Sequence, residues 1–391
     1  MEQFSHDTLL YLQTKDFKIV YDTGDVVCLA MFDIDGTIIK TKSGKKFAQG
    51  KDDWGFWDDS IPSRIRSLYD EKYNIIFFTN QAGISKGKTN KEDWIAKINS
   101  VVAQLGVPIQ VFASTASDSF RKPSPRMFNY FLEYNKINRN SLNMEDSFYC
   151  GDAGGRQKGW NKKVKKAKDF SDSDRKFAMN LEFPFHTPDE YFLDEKPVSY
   201  VLSGFVPSPI SSATASSKSE LSMLDVSTLD VKDGEMIINI GYPGSGKTTF
   251  TKKLISVHPK YVHINRDTLK TMSKCLKVAE ASIKAGKGVI IDNTNPTKKA
   301  RAPFIKLAKK YNLYLRCVHF TTSLEHSRHN MNFRNFVTKN GVKRIPDVTY
   351  YTFRKRFEEP STSQEDEGFS IINKIDFEIA SDVPEEYYMY L

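Results

Sequence analysis

The sequence predicts two α/β domains in tandem, each a parallel sheet with helices on both faces. Three observations predict this. Two regions alternate short, wholly apolar runs with amphipathic ones, the βα pattern of a covered parallel sheet. A stretch poor in large apolar side chains separates them. The chain has 391 residues, enough for two cores of ordinary size.

In the first region Val26–Phe32, Asn74–Phe78, Val107–Phe112 and Ser147–Cys150 read as buried strands. Trp94, Ile98, Val101 and Leu105 recur at helical spacing, and Gly106 stands where a C′ glycine belongs. Thr89 and Glu92 fit a capping box at the start of that helix. The separating stretch is Pro207–Glu220, PSPISSATASSKSE. It cannot bury enough to fix its backbone and reads as a linker. In the second region Met236–Ile240, Tyr261–Ile264, Val289–Ile291 and Leu313–Phe320 read as strands, and Thr297–Tyr311 as a helix. The expected division is 1–206, a linker over 207–230, and 231–391.

Composition narrows the function. Hydrophobic residues make up 39% of the chain, too many for a disordered one. The formal net charge of +9 favours polyanionic partners, without choosing between nucleic acid and anionic membrane. Cys28, Cys150, Cys275 and Cys317 are far apart, with no metal-binding spacing, and read as free thiols of a reducing compartment. The N-terminus lacks the layout of a secretory signal, and no apolar run is long enough to span a bilayer. A soluble intracellular protein is expected.

The first constellation begins where a strand runs into Asp33-Ile34-Asp35-Gly36-Thr37. Carboxylates at i and i+2 on a strand's C-terminal end can both enter the crevice where open α/β sheets bind ligands. Phosphate monoester hydrolysis needs a nucleophile, a proton donor for the leaving alkoxide and positive charge. Asp33 suits the nucleophile and Asp35 the acid/base. Acids beside a phosphate require a cation, and Mg²⁺ suits oxygen ligands. Thr79, in Phe77-Phe78-Thr79-Asn80-Gln81, ends another strand with a hydroxyl and amides able to bind phosphoryl oxygens. Lys122, in Arg121-Lys122-Pro123, supplies a fixed cation. Asp152 ends a later strand as a candidate metal ligand, and Asp174 is a second acidic candidate that could equally be a helix N-terminal acid.

The second constellation follows the strand Met236–Ile240. Gly241-Tyr242-Pro243-Gly244-Ser245-Gly246-Lys247-Thr248 matches the P-loop pattern in the right context. Gly241, Gly244, Ser245, Gly246, Lys247, Thr248 and Thr249 are expected to bind ATP, with Thr248 on Mg²⁺. Asp267, after the next strand, is the expected general base; it could instead be an N-cap. Asp292 ends an apolar strand as a Walker B carboxylate would. It could touch the metal, act through water, or order the loop. Arg328 and Arg334 are candidates to offset charge on the transferring phosphoryl group.

Asp33-x-Asp35-Gly36-Thr37, the strand-end Thr79, Lys122 and Asp152 in this order resemble the haloacid-dehalogenase phosphatase superfamily. That resemblance implies phosphorylation of Asp33 and a metal held by Asp33, the Asp35 carbonyl and Asp152. With the P-loop, and with stretches such as IFFTNQAGISKGK, FRKPSPRM, YCGDAGGR, INRDTL and IDNTNP, the chain resembles eukaryotic polynucleotide kinase 3′-phosphatases from about Asp25 to Phe377. The resemblance implies a phosphatase that clears 3′-phosphates and a kinase that phosphorylates 5′-hydroxyls. DNA ends, or RNA ends, would be the partners, Mg²⁺ and ATP the cofactors, and the nucleus or cytoplasm the location. Two departures stand out. Roughly 30 residues precede Asp33, too few for the forkhead-associated domain of animal members, so docking by that route is not expected. Asn332 stands where the family often has a lid arginine. Lys158, Lys162, Lys163, Lys165, Lys166 and Lys168 suit phosphate backbone contact, a solvated loop or nuclear localisation. Trp54, Phe56 and Trp57 suit either base stacking or the core.

Overall fold

The computed structural model describes every residue of the 391 except 162–166, 208–225, 227–228, 340, 343, 378 and 380–382. The described residues divide into two units: residues 1–207 with the last three residues, and a second unit reaching Tyr388.

The first unit runs β1 (Glu2–His6), β2 (Leu9–Gln13), β3 (Leu29–Phe32), β4 (Ile39–Lys40), β5 (Gly55–Phe56), α1 (Ile61–Asp70), β6 (Asn74–Asn80), α2 (Lys91–Leu105), β7 (Ile109–Ser114), α3 (Arg126–Asn135), β8 (Phe148–Cys150), α4 (Ser173–Leu181), β9 (Phe185–His186) and α5 (Pro188–Phe192). Its sheet has the order β1-β2-β7-β6-β3-β8-β9. From β7 to β9 all neighbours are parallel. Both faces are covered, which is why these strands read as unbroken apolar runs. Ile75 and Phe77 enter the core on one face, while Ile76 and Phe78 enter the core on the other.

The sheet is not wholly parallel, as the sequence led us to expect. The hairpin β1–β2 adds an antiparallel edge, with β2 paired antiparallel to β7. Every residue of β1 is exposed, so it carries no apolar signature of a strand. A second correction concerns α2. Its N-cap is Asn90, whose side chain accepts from the Asp93 amide, and not the predicted Thr89 with Glu92. Thr89 lies one residue too early, and its hydroxyl packs against Gly83. The C-terminus of α2 is as expected, with Gly106 left-handed at φ 73°.

The second unit runs β10 (Glu235–Ile240), α6 (Lys247–Val257), β11 (Tyr261–Ile264), α7 (Arg266–Leu269), α8 (Met272–Lys284), β12 (Gly288–Asp292), α9 (Lys298–Lys310), β13 (Tyr314–Phe320), α10 (Leu324–Val337), α11 (Asp347–Arg356) and β14 (Ile371–Ile375). Its sheet, β11-β12-β10-β13-β14, is parallel throughout. The last strand escaped sequence reading because Asn373 and Lys374 interrupt its apolar run. Val226 and Leu229, read as linker, are instead buried with Ile237 and Leu254. The stretch Ser208–Glu220 lies outside the described residues. All four cysteines are free. Among the described residues, no helix is long and apolar enough to cross a membrane.

Replacing the Asn90 cap by alanine should cost about 0.5–2 kcal/mol in the first unit's stability, read by urea unfolding. An unchanged midpoint would show that α2 does not depend on this cap.

Candidate active sites

The first site collects at the C-terminal ends of β3, β6 and β8. The Asp33 amide donates to the Cys150 carbonyl at 2.9 Å, tying the two strand ends together. One ligand atom each from Asp33, Asp152 and Asp174 falls within 4.8 Å of the others. Asp174 sits in the first turn of α4, yet it also points into this cluster, accepting from the Ala153 amide at 3.0 Å. Its position thus agrees with both places read for it from the sequence, the first turn of a helix and the acid cluster.

The buried Lys122 ammonium completes the cluster. It donates to Asp33 Oδ1 at 2.6 Å, the Phe78 carbonyl at 2.8 Å and the Tyr149 hydroxyl at 2.7 Å, and pairs with Asp174 at 2.7 Å. Burial alone would lower its proton affinity; Asp174 and Asp33 outweigh that and raise it. Burial pushes the Asp33 carboxyl up to about 7 against the pull of Lys122. Burial, with Asp174 and Asp33 beside it, pushes Asp152 well above the carboxylate range. Three carboxylates against one ammonium leave two negative charges in a water-poor space. Such a donor set fits a hard divalent cation, whose charge would replace those protons.

Gly36 makes this geometry available. Its φ is +87°, and a Cβ there would fall 2.6 Å from Asp152 Oδ2. Thr37 adds a hydroxyl that accepts from the Asp152 amide at 3.0 Å. Thr79 is buried at the end of β6, its hydroxyl accepting from Gln81 Nε2 at 3.2 Å. The neighbouring amides, predicted to bind phosphoryl oxygens, are engaged otherwise. Asn80 clamps the Lys122 backbone through both its N–H and its carbonyl. Gln81 donates to Asp35 Oδ2 at 2.7 Å. The Asp35 carboxylate does not belong to the cluster of three; it is half exposed, with Lys97 on its other oxygen at 3.3 Å.

Sequence reasoning missed Tyr149 and Lys97. Lys97 had a signal: three residues after Trp94 and four before Val101, it falls on the buried face of α2. Trp54 is buried in the core, and Phe56 and Trp57 pack against it half-buried. Of the lysine run, Lys158 and Lys168 are exposed; Lys162, Lys163, Lys165 and Lys166 lie outside the described residues.

The second site is the turn from β10 into α6. Gly244 has φ +79°, and a Cβ there would meet the Ser327 carbonyl at 2.4 Å. Only glycine lets the loop pass this close to α10. The Lys247 ammonium is folded onto its own loop, donating to the carbonyls of Gly241 at 3.0 Å and Tyr242 at 2.5 Å. Burial pushes it down to about 8, against the opposing pull of Asp292 and Asp267. Thr248 donates to Asp292 Oδ2 at 2.8 Å, and His263 Nε2 lies 2.8 Å from the same oxygen. Burial works to raise the Asp292 pKa, but the hydrogen bonds from His263 and Thr248 hold it below the ordinary carboxylate value.

Asp267 lies exposed in the first turn of α7 and is not its N-cap. Asn265 is, accepting from the Thr268 amide at 2.8 Å. The two arginines part company, since six residues along a helix turns a side chain by roughly 120° net. Arg328 is held by Asp347 at 3.1 Å. Arg334 lines a cavity of about 450 Å³ with Gly244, Ser245, Gly246, Lys247, Thr248 and Thr249. Gly241 underlies this loop, and Phe333, Phe377 and Tyr387 form the cavity's apolar side.

Gly36→Ala should push Asp152 aside and weaken Mg²⁺ or Mn²⁺ binding at least about tenfold, read by titration calorimetry. Unchanged affinity would remove Asp152 from the cation site.

Comparison with known proteins follows the same division. Residues 28–192 match the family described as polynucleotide kinase 3 phosphatase, and residues 236–360 match an AAA domain family. A bifunctional polynucleotide phosphatase/kinase of Schizosaccharomyces pombe is 34% identical over 357 residues, covering 90% of this chain and 80% of its own length. A protein of Acanthamoeba polyphaga mimivirus, whose provisional name gives the same two activities, is 35% identical over 375 residues, with 90% and 85% covered. A polynucleotide 3′-phosphatase of Arabidopsis thaliana is 31% identical over 201 residues, 48% of this chain and 26% of its own.

Proposed function

The chain belongs to the family of bifunctional polynucleotide phosphatase/kinases, and from that premise we propose that it clears 3′-phosphates and phosphorylates 5′-hydroxyls at DNA strand breaks. The observation that carries this reading is the pairing of two unlike phosphate pockets in one chain: an acid cluster closed by Lys122, and a glycine-lined loop around Lys247.

In the first pocket Asp33 attacks phosphorus and takes the phosphoryl group. The P–O3′ bond breaks, and the departing O3′ takes the proton carried by Asp35. Asp35 then takes a proton from water as the water oxygen attacks phosphorus; the bond from phosphorus to the Asp33 carboxylate breaks, which releases phosphate and restores Asp33. Lys122 offsets charge on the phosphoryl oxygens, and Thr79 offers them its hydroxyl. A Mg²⁺ ion held by Asp33, Asp152, Asp174 and the Asp35 carbonyl would supply the positive charge that lets a phosphate approach these acids.

In the second pocket the loop amides, Ser245 and Thr249 cradle the ATP phosphates. Lys247 swings from its loop carbonyls to the β- and γ-oxygens. Thr248, with Asp292 behind it, would hold the nucleotide's Mg²⁺. Asp267 takes the proton of the 5′-hydroxyl as that oxygen attacks the γ-phosphorus; the γ-phosphorus–β-phosphate oxygen bond breaks, ADP leaves, and Arg334 offsets charge on the transferring group. Arg328, tied to Asp347, is left out of this reading. DNA as substrate carries the further reading that the protein acts in the nucleus.

The direct test is a gapped duplex bearing a 3′-phosphate and a 5′-hydroxyl, with ATP and Mg²⁺. Both ends should be converted; a large preference for 3′-mononucleotides or RNA over DNA would overturn the DNA reading. Asp33→Asn should abolish phosphate release and leave 5′-phosphorylation within about twofold, and Lys247→Ala should do the reverse. Loss of both activities in either folded variant would contradict two independent pockets. Asp267→Asn should retain ATP binding while 5′-phosphorylation falls by about 10²-fold or more; full turnover would dismiss it as the base.

A further inference from the structure

Asp35 is the least protected member of the first pocket. Its carboxylate is about half exposed, whereas Asp33, Lys122 and Asp174 are all buried. A half-exposed aspartate ordinarily samples several rotamers. Proton transfer to a leaving oxygen tolerates little of this freedom, because a misplacement of about 1 Å can cost about 10²-fold. Something must hold the side chain.

Two donors do so, one on each oxygen. Gln81 Nε2 donates to Oδ2 at 2.7 Å, and Lys97 Nζ donates to Oδ1 at 3.3 Å. Lys97 is the unusual member. It stands in the middle of α2, with its side chain only 8% exposed. Trp94, Ile98 and Val101 around it belong to the apolar core. A lysine among these residues forgoes hydration of its ammonium and the rotamer freedom of four methylenes, a combination rarely kept without a partner. The partner here is a carboxylate that faces solvent and could bind water without it. The ion pair therefore does little for Asp35 as a charge. What it does is fix the direction of Oδ1 from a rigid helix, capped at both ends by Asn90 and Gly106.

We propose that Lys97 is a positioning residue for the phosphatase reaction, holding Asp35 so that it can hand its proton to the leaving 3′-oxygen. This rests on the reading of Asp35 as the acid. Lys97 touches neither the phosphoryl group nor the acid cluster in this role; it acts through Asp35.

The test uses leaving groups. The 3′-alkoxide of an oligonucleotide needs a proton as the P–O bond breaks; p-nitrophenoxide does not. The quantity kcat/KM covers only the steps through the first irreversible one, the transfer to Asp33, so the later water step drops out. In the full-length protein, Lys97→Met should lower kcat/KM on a 3′-phosphorylated oligonucleotide by at least about tenfold while leaving that for p-nitrophenyl phosphate within about twofold. Lys97→Arg, which keeps a buried stem and a donor, should recover part of the loss. Unchanged or raised kcat/KM on the oligonucleotide with Lys97→Met would overturn the proposal. So would an equal fall on both substrates, which would make Lys97 structural. Asp35→Asn is the control that separates the two claims. If it lacks the leaving-group dependence, the acid assignment itself fails; if it has the dependence and Lys97→Met does not, only the positioning role fails.

Discussion

Three carboxylates bring one oxygen each within 4.8 Å of the others, and the buried Lys122 ammonium pairs with two of them, Asp33 and Asp174. Much of the first unit's architecture follows from bringing these groups together and paying for it once. Parallel strands β3 and β8 place Asp33 and Asp152 at adjacent C-terminal ends. Gly36 removes the Cβ that would collide with Asp152. Asn80 fixes the backbone of the loop that delivers Lys122, and Tyr149 gives its ammonium a neutral partner from below. Lys122 is thus the cation built into the fold. The charge it leaves uncovered is of the kind a hard divalent cation with oxygen ligands would offset.

The second unit solves the same electrostatic problem with different material. Backbone amides and a helix N-terminus are what an anion would meet there, so the loop carries glycines where the first site carries acids. The acids that remain stand at one remove. Asp292 is satisfied by Thr248 and His263, and Asp267 is exposed in the first turn of α7. Asn330 Nδ2 donates to the Gly244 carbonyl at 2.9 Å, and so helps hold the loop against α10. Lys247 rests on carbonyls that a nucleotide phosphate can replace as its partner, a low-cost exchange because the ammonium is already desolvated.

Several candidate site groups were legible in the sequence for a simple reason. They close buried apolar strands, and such strands stand out because both their faces are covered. Asp33, Thr79, Asp152 and Asp292 all lie at or just beyond such strand ends. What stayed hidden depends on contacts that no local pattern records. The β1–β2 hairpin has no apolar alternation on its exposed edge strand. The cap of α2 was misread by one residue because Thr89 and Asn90 are both acceptable caps, and only packing against Gly83 separates them. Arg328 and Arg334 share a helix but point to different sides of it, and only tertiary contacts, Asp347 for the one and the loop cavity for the other, say which side matters. Lys97 could have been suspected from its place on the apolar face, but its partner could not.

If the two pockets are chemically separate and the earlier one works through Asp33 as an acceptor of phosphate, a phosphoaspartate forms there during turnover and can be trapped. The protein is mixed with a 3′-phosphorylated oligonucleotide, quenched, reduced with tritiated borohydride and mapped by peptide mass spectrometry. The account predicts tritium at residue 33 as homoserine, with none when ATP alone is supplied. Label at another residue, no label at all under turnover, or label at residue 33 from ATP alone would contradict it.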